Sequence, residues 1–194
     1  DFVPSLAARV KHRLGVKNPG TVAYDIAFGC PGWLQGVIQA DCYLRSGEGR
    51  RAMIIGAETL SRISDPNDRD SMIYADGAGA TILEARDTTE PVGFLAHAVR
   101  SDTIDHAYML WMARSYRPGT DERLYLKMDG HKLYEYALKT VPGVVLKCLE
   151  KAGLTVRDVH KVLIHQANAK MDEAILKRVF KLAGLGEAPL EVMP

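Results

Sequence analysis

Cysteine is scarce here, long apolar runs are missing, and there is almost no net charge. Each shortage closes a class of function. Cys30, Cys42 and Cys148 are the only three cysteines in 194 residues, at irregular spacing and with no Cys-x-x-Cys pair. Neither a disulfide framework nor a metal or dithiol site is indicated, and a reducing cytoplasm is the expected compartment. No run of about 18 apolar residues exists, so no membrane insertion is expected. A formal net charge of +1 argues against nucleic acid or an anionic lipid surface as the main partner. There is no low-complexity segment, linker or short-period repeat. The start, Asp1-Phe2-Val3-Pro4, is not a signal peptide, and both ends read as cut.

What is present is ordinary core material, 47% hydrophobic and 25% charged. Residues 5–14 read as a basic helix with Leu6, Val10 and Leu14 on one face and Gly15 as its stop. Asn18-Pro19-Gly20 is a turn signal. Residues 21–28, 51–57 and 78–85 read as buried strands, residues 31–45 as a helix and 63–70 as a polar loop. A strand is expected at 91–99 and a loop with a short helix at 100–123. Residues 130–152 read as a long amphipathic helix interrupted at Pro142-Gly143. A strand at 158–164 and a helix at 169–182 complete the pattern. This alternation predicts an α/β fold with a largely buried sheet.

Cys30 stands in Gly29-Cys30-Pro31-Gly32, where a predicted strand meets a helix. Pro31 suits the first helical position and Gly29 permits the tight turn. A thiol at a helix start faces unpaired N–H groups, a setting that favours the reactive thiolate. The alternative is a small buried hydrophobe, which is how Cys42 and Cys148 are read. His165 leaves a predicted strand in Ile164-His165-Gln166-Ala167-Asn168, with Asn168 as N-cap of the next helix. Strand ends are where α/β sheets place catalytic groups. The bland alternative is a hydrogen-bonded histidine at a strand end.

The run His165-Gln166-Ala167-Asn168 resembles the signature of β-ketoacyl-acyl-carrier-protein synthase III enzymes. Gly29-Cys30-Pro31-Gly32 is similar to their nucleophile region. Asp65-Pro66-Asn67-Asp68-Arg69, Ala75-Asp76-Gly77-Ala78-Gly79-Ala80 and Leu126-Lys127-Met128-Asp129-Gly130 keep the family's order as well. The resemblance implies the thiolase-like fold, layered αβαβα with two similar halves and mixed sheets, incomplete here. Residues 1–88 would be the half carrying Cys30, and residues 89–194 the half carrying His165. It implies a homodimer acting on acyl-CoA and acyl carrier protein thioesters, with no further cofactor.

By the same resemblance Cys30 is the acylated cysteine and His165 the catalytic histidine. Arg69 stands beside the coenzyme A entrance; otherwise it is a loop arginine paired with Asp65 or Asp68. Gly130, Ala167 and Asn168 line the pantetheine tunnel, and Leu60 an acyl pocket. Lys170, Lys177 and Arg178, with Lys181, make a basic helix for docking the carrier protein, or only a solvated face. His131 departs from the asparagine that the family carries there. The third catalytic residue, an asparagine in a Gly-Asn-x-Ser stretch, would come after Pro194. The implied reaction is a decarboxylative Claisen condensation that initiates fatty-acid synthesis. Rival readings are an alkylresorcinol, quinolone or polyketide starter synthase and a non-catalytic partner subunit. A hydroxymethylglutaryl-coenzyme A synthase is disfavoured because its glutamate base has no place here.

Overall fold

The computed structural model describes residues 3–119 and 122–192. The main elements are helices α1 (Leu6–Arg13) and α2 (Gly32–Arg45), strands β1 (Arg51–Thr59), β2 (Asp76–Glu84), β3 (Leu110–Ala113) and β4 (Tyr125–Met128), then helices α3 (Gly130–Lys151) and α4 (Ala169–Leu182). Tight 3-10 turns occupy Leu60–Arg62, Arg69–Ile73, Val156–Asp158 and Leu190–Val192. β1 and β2 are hydrogen-bonded neighbours. β3 pairs antiparallel with β4, Leu110 opposite Met128 and Ala113 opposite Tyr125. By internal packing the chain divides into two units, residues 1–56 with 80–84 and residues 57–79 with 85–194. That grouping differs from halves at 1–88 and 89–194, because residues 57–79 pack with residues 85–194.

In the first unit, α1 starts where Ser5 accepts the Ala8 N–H (3.2 Å) and Asp25 accepts those of Leu6 (2.8 Å) and Ala7 (2.7 Å). These bonds satisfy three of the leading donors that a helix leaves without internal partners. Gly15, at φ +65°, ends it. The expected apolar face is not covered: Leu6 is 53% and Leu14 58% exposed. α2 lies close on β1 because glycines stand where the two meet. A Cβ on Gly36 would sit 2.8 Å from Ile54 Cγ2, and one on Gly56 would sit 3.3 Å from Trp33 Cβ. Val37, Leu44 and Ile54 are buried there.

Residues 21–28, expected as a buried strand, are neither strand nor helix and are largely exposed. An apolar run becomes a strand only where a neighbour takes its backbone hydrogen bonds, and no described strand does so. Cys42, expected in the core, is exposed, and Cys148 is only half-buried, its thiol donating to the Ala96 carbonyl at 3.6 Å.

The core of the second unit lies between α3 and α4. Val156, Ile175 and Val179 are buried against Leu138, Val145 and Ile164. α3 runs from Gly130 to Lys151 through Pro142, whose ring is fully buried. A proline removes one N–H from the ladder, and the packed helix absorbs that loss. Residues 91–99 and 158–164, expected as strands, form none among the described residues. In the second stretch residues 161–164 alternate between exposed and half-buried, and Val162 N–H donates to the Val192 carbonyl (2.8 Å). Conversely, β3 and β4 fall where loop and short helix were expected or where no strand was predicted. The largely buried sheet is not seen: both described sheets have two strands, and Met53 and Ile55 of β1 are 46% and 40% exposed.

Candidate active site

Cys30 is exposed and lies in a turn closed by the Gly32 N–H donating to the Gly29 carbonyl (2.8 Å). Pro31 is the capping residue of α2 and Gly32 its first helical residue, one position later than expected. Proline offers no acceptor side chain, so no side chain caps the leading N–H groups of α2. An exposed thiol two residues before an uncapped helix start suits a nucleophile better than a core role. Cys30 belongs to the first unit; every other predicted site residue belongs to the second.

His165 is exposed at the end of the alternating stretch. Its carbonyl accepts the Ala167 N–H at 3.0 Å, a three-residue turn. Asn168 then caps α4, its side-chain oxygen accepting from the N–H groups of Lys170 (3.0 Å) and Met171 (3.3 Å). The predicted cap holds, and Ala167 is an exposed spacer between histidine and helix. Asp172, one turn further, is buried to 6% exposure, and its Oδ1 has no hydrogen-bond partner among the described residues. Burial pushes its carboxyl up, and the charge of His165 pulls partly the other way. Asp172 shares the apolar stripe of Ile175, Leu176 and Val179, so helical spacing alone could have found it.

The densest polar cluster in the second unit surrounds Lys127, on β4. Lys127 and Asp65 are both 0% exposed, with the ammonium nitrogen 2.5 Å from a carboxylate oxygen. The ammonium also reaches Asp68 Oδ2 (3.3 Å) and lies 3.7 Å from the centroid of the Tyr116 ring. Asp65 Oδ1 accepts from Asn67 N–H and the Ser115 hydroxyl, both at 2.9 Å, and Oδ2 accepts from Tyr116 N–H at 3.0 Å. Burial would raise the Asp65 carboxyl, but Lys127 and these donors hold it well below the usual carboxylate range. Burial would likewise lower Lys127, and its two carboxylates keep it raised. Sequence reading gave Lys127 no role of its own; it stood only within the motif Leu126-Lys127-Met128-Asp129-Gly130.

Arg69 opens the 3-10 turn that Asp68 caps. Its side chain is exposed and makes no ion pair or hydrogen bond among the described residues. The alternative pairing of Arg69 with Asp65 or Asp68 is therefore not made; Lys127 takes both. Leu60 is half-buried where β1 gives way to a 3-10 turn, pinned by Ser61 N–H and hydroxyl donating to Asp76 (2.8 and 2.6 Å). Gly130 begins α3 after the cap Asp129, and a Cβ there would meet only the Met128 methyl, at 3.6 Å. His131 is exposed, 3.3 Å from Glu135. Lys170, Lys177 and Arg178 are exposed on α4, with Lys177 3.8 Å from Glu173.

The family model described as 3-Oxoacyl-[acyl-carrier-protein (ACP)] synthase III matches residues 24–103. Curated proteins called β-ketoacyl-[acyl-carrier-protein] synthase III are 35% identical over 179 residues in Erythrobacter litoralis and 33% over 177 in Pasteurella multocida. Each alignment covers 91% of this chain and 54% of the relative. The chain belongs to the synthase III family. It spans about half the length of the curated synthase III proteins it matches. Among solved structures, the synthase III of Thermus thermophilus superposes with a TM-score of 0.82 at 32% identity, over 100% of this chain and 57% of that one. A priming β-ketosynthase from the R1128 polyketide biosynthetic pathway gives 0.79 at 26%, over 97% and 55%. The expected thiolase-like α/β fold, present in part, is thereby established.

Proposed function

We propose that this chain is the part of a ketoacyl synthase III enzyme that carries its nucleophile and its histidine. The observation that supports this most is the exposed Cys30 at the uncapped start of α2, inside the matched segment. The Cys30 thiolate attacks the carbonyl carbon of an acyl-thioester; the new C–S bond forms as the bond to the coenzyme A sulfur breaks, and coenzyme A leaves as its thiolate, which takes a proton from water. Malonyl-acyl-carrier protein then loses carbon dioxide to give an enolate. That carbanion attacks the acyl group, the C–C bond forms, and the bond to Cys30 breaks to regenerate the thiolate. His165 donates a hydrogen bond to the enolate oxygen. The free guanidinium of Arg69 meets coenzyme A phosphate, which its planar fork suits. Gly130, Ala167 and Asn168 flank the pantetheine arm, and Leu60 the acyl chain. Lys170, Lys177 and Arg178 face the acidic carrier protein. The enzyme works as a cytoplasmic homodimer with no cofactor beyond its thioester substrates.

The test is intact-mass analysis of the full-length polypeptide incubated with a panel of acyl-CoA thioesters, beside Cys30→Ala. An acyl adduct present in the first and missing in the second is the expected result, and the preferred thioester names the primer. No adduct from any coenzyme A or carrier-protein thioester would overturn the reading in favour of a non-catalytic partner.

A further inference from the structure

An ammonium and a carboxylate, each fully buried, are an expensive way to hold a loop. Hydrophobic residues of similar volume often do as well or better for stability, so the charges in the Lys127 cluster call for another explanation. Three groups of the cluster bear on one neighbour. The Asp68 N–H donates to the Asp65 carbonyl (3.0 Å), and the Ser71 hydroxyl donates to the carbonyls of both Asp65 (2.8 Å) and Asp68 (2.7 Å). The Asp68 side chain accepts the Asp70 N–H (3.0 Å). The backbone on either side of Arg69 is therefore pinned, while the Arg69 side chain is exposed and has no partner among the described residues. Three carboxylates lie within four residues of Arg69, at Asp65, Asp68 and Asp70, and such groups are natural traps for its guanidinium, since charge-assisted pairs with carboxylate are strong. They would also repel a phosphate. Lys127 engages Asp65 and Asp68 from the inside, at 2.5 and 3.3 Å, and offsets one of their two charges.

We propose that Lys127 is a positioning residue that keeps Arg69 free for an anionic phosphate by occupying Asp65 and Asp68. This rests on the reading that Arg69 meets the phosphates of coenzyme A. It adds that the affinity is set by a buried lysine that never touches the ligand. Pinning the turn also spares part of the ordering cost of binding.

The experiment compares KM for an acyl-CoA and for the same acyl group on pantetheine, which lacks the phosphates at the Arg69 end, in the full-length enzyme. Arg69→Ala comes first: a KM for acyl-CoA raised about ten- to a hundredfold with pantetheine unchanged supports the underlying reading. If both substrates respond alike, Arg69 is not a phosphate contact and the function assigned to it fails, whatever Lys127 does. Given that split, Lys127→Met is expected to show it too, and to add nothing in the Arg69→Ala background, because both act through one guanidinium. Effects that multiply, or an equal loss on both substrates, would overturn the positioning role. Lys127→Gln keeps a donor for Asp65 without the charge and supplies the same readout if Lys127→Met does not fold.

Discussion

Exchanging Lys127 for methionine leaves the Asp65 carboxylate at 0% exposure with no counter-ion. Removing one partner of a buried pair costs about 3–5 kcal/mol, because the stranded charge keeps its desolvation penalty. Asp65→Leu strands the ammonium and is expected to cost about as much. The double replacement removes both charges and should recover most of the sum. Equilibrium urea unfolding of the full-length protein reads this directly: at a slope of about 2 kcal/mol per molar, each single variant loses roughly 2 M of midpoint. Acid adds an independent reading. The folded Asp65 carboxyl lies below its ordinary value of 3.8, so its contribution is present above that pH and is lost as pH falls toward the folded value. In Lys127→Met burial acts with its main opponent removed, and this acid-sensitive component should shrink or reverse. Costs that simply add in the double variant would refute the reasoning, since two charges that stabilise each other cannot be removed independently.

Asp172 works in the opposite sense. Its carboxyl is raised above 3.8 by burial, so it imposes no penalty below that pH and an increasing one as pH rises through the folded value. Asp172→Leu should therefore raise stability at pH 7 by about 1 kcal/mol, as expected for removing a buried unsatisfied group. The gain should be smaller at pH 3, where the carboxyl is neutral; thermal unfolding at the two pH values decides, and a variant destabilised at pH 7 would contradict this assignment. Gly36→Ala places a methyl 2.8 Å from Ile54 Cγ2. Overpacking of about 1–3 kcal/mol outweighs the roughly 1 kcal/mol gained in helix propensity. The urea midpoint should fall, and an unchanged or higher midpoint would show that α2 yields freely.

Local chemistry was legible in the sequence, and non-local pairing was not. Helices α2, α3 and α4 were readable from their periodicity and caps to within a residue or two, and so was Asn168, because caps and apolar stripes are written within a few positions. Residues 21–28, 91–99 and 158–164 read as strands on composition, yet a strand exists only where a partner takes its backbone bonds, and composition does not name the partner. β3 was hidden for a related reason: residues 107–113 are an apolar run that fits helix or strand alike, and what makes it a strand is the ladder with β4. At the site, the exposed positions of Cys30 and His165 arise from the turns that carry them. The cluster around Lys127 joins residues about 60 positions apart (Asp65 to Lys127), and nothing in either segment announces the other. Hence Asp65 and Asp68 looked like partners of Arg69, their sequence neighbour, when a distant lysine had already taken them.

Gly130 separates two kinds of selection. It sits at the first position of α3 with φ outside the left-handed region and open space for a methyl group beside Met128. Nothing in the fold asks for glycine there, and glycine loses more conformational freedom on folding than any other residue. A campaign that ranks variants only by melting temperature would write alanine at this position and count it an improvement. If the pantetheine arm passes here, the same alanine narrows its path. A library sorted once for stability and once for turnover would then disagree at Gly130, and the disagreement would mark where the substrate runs.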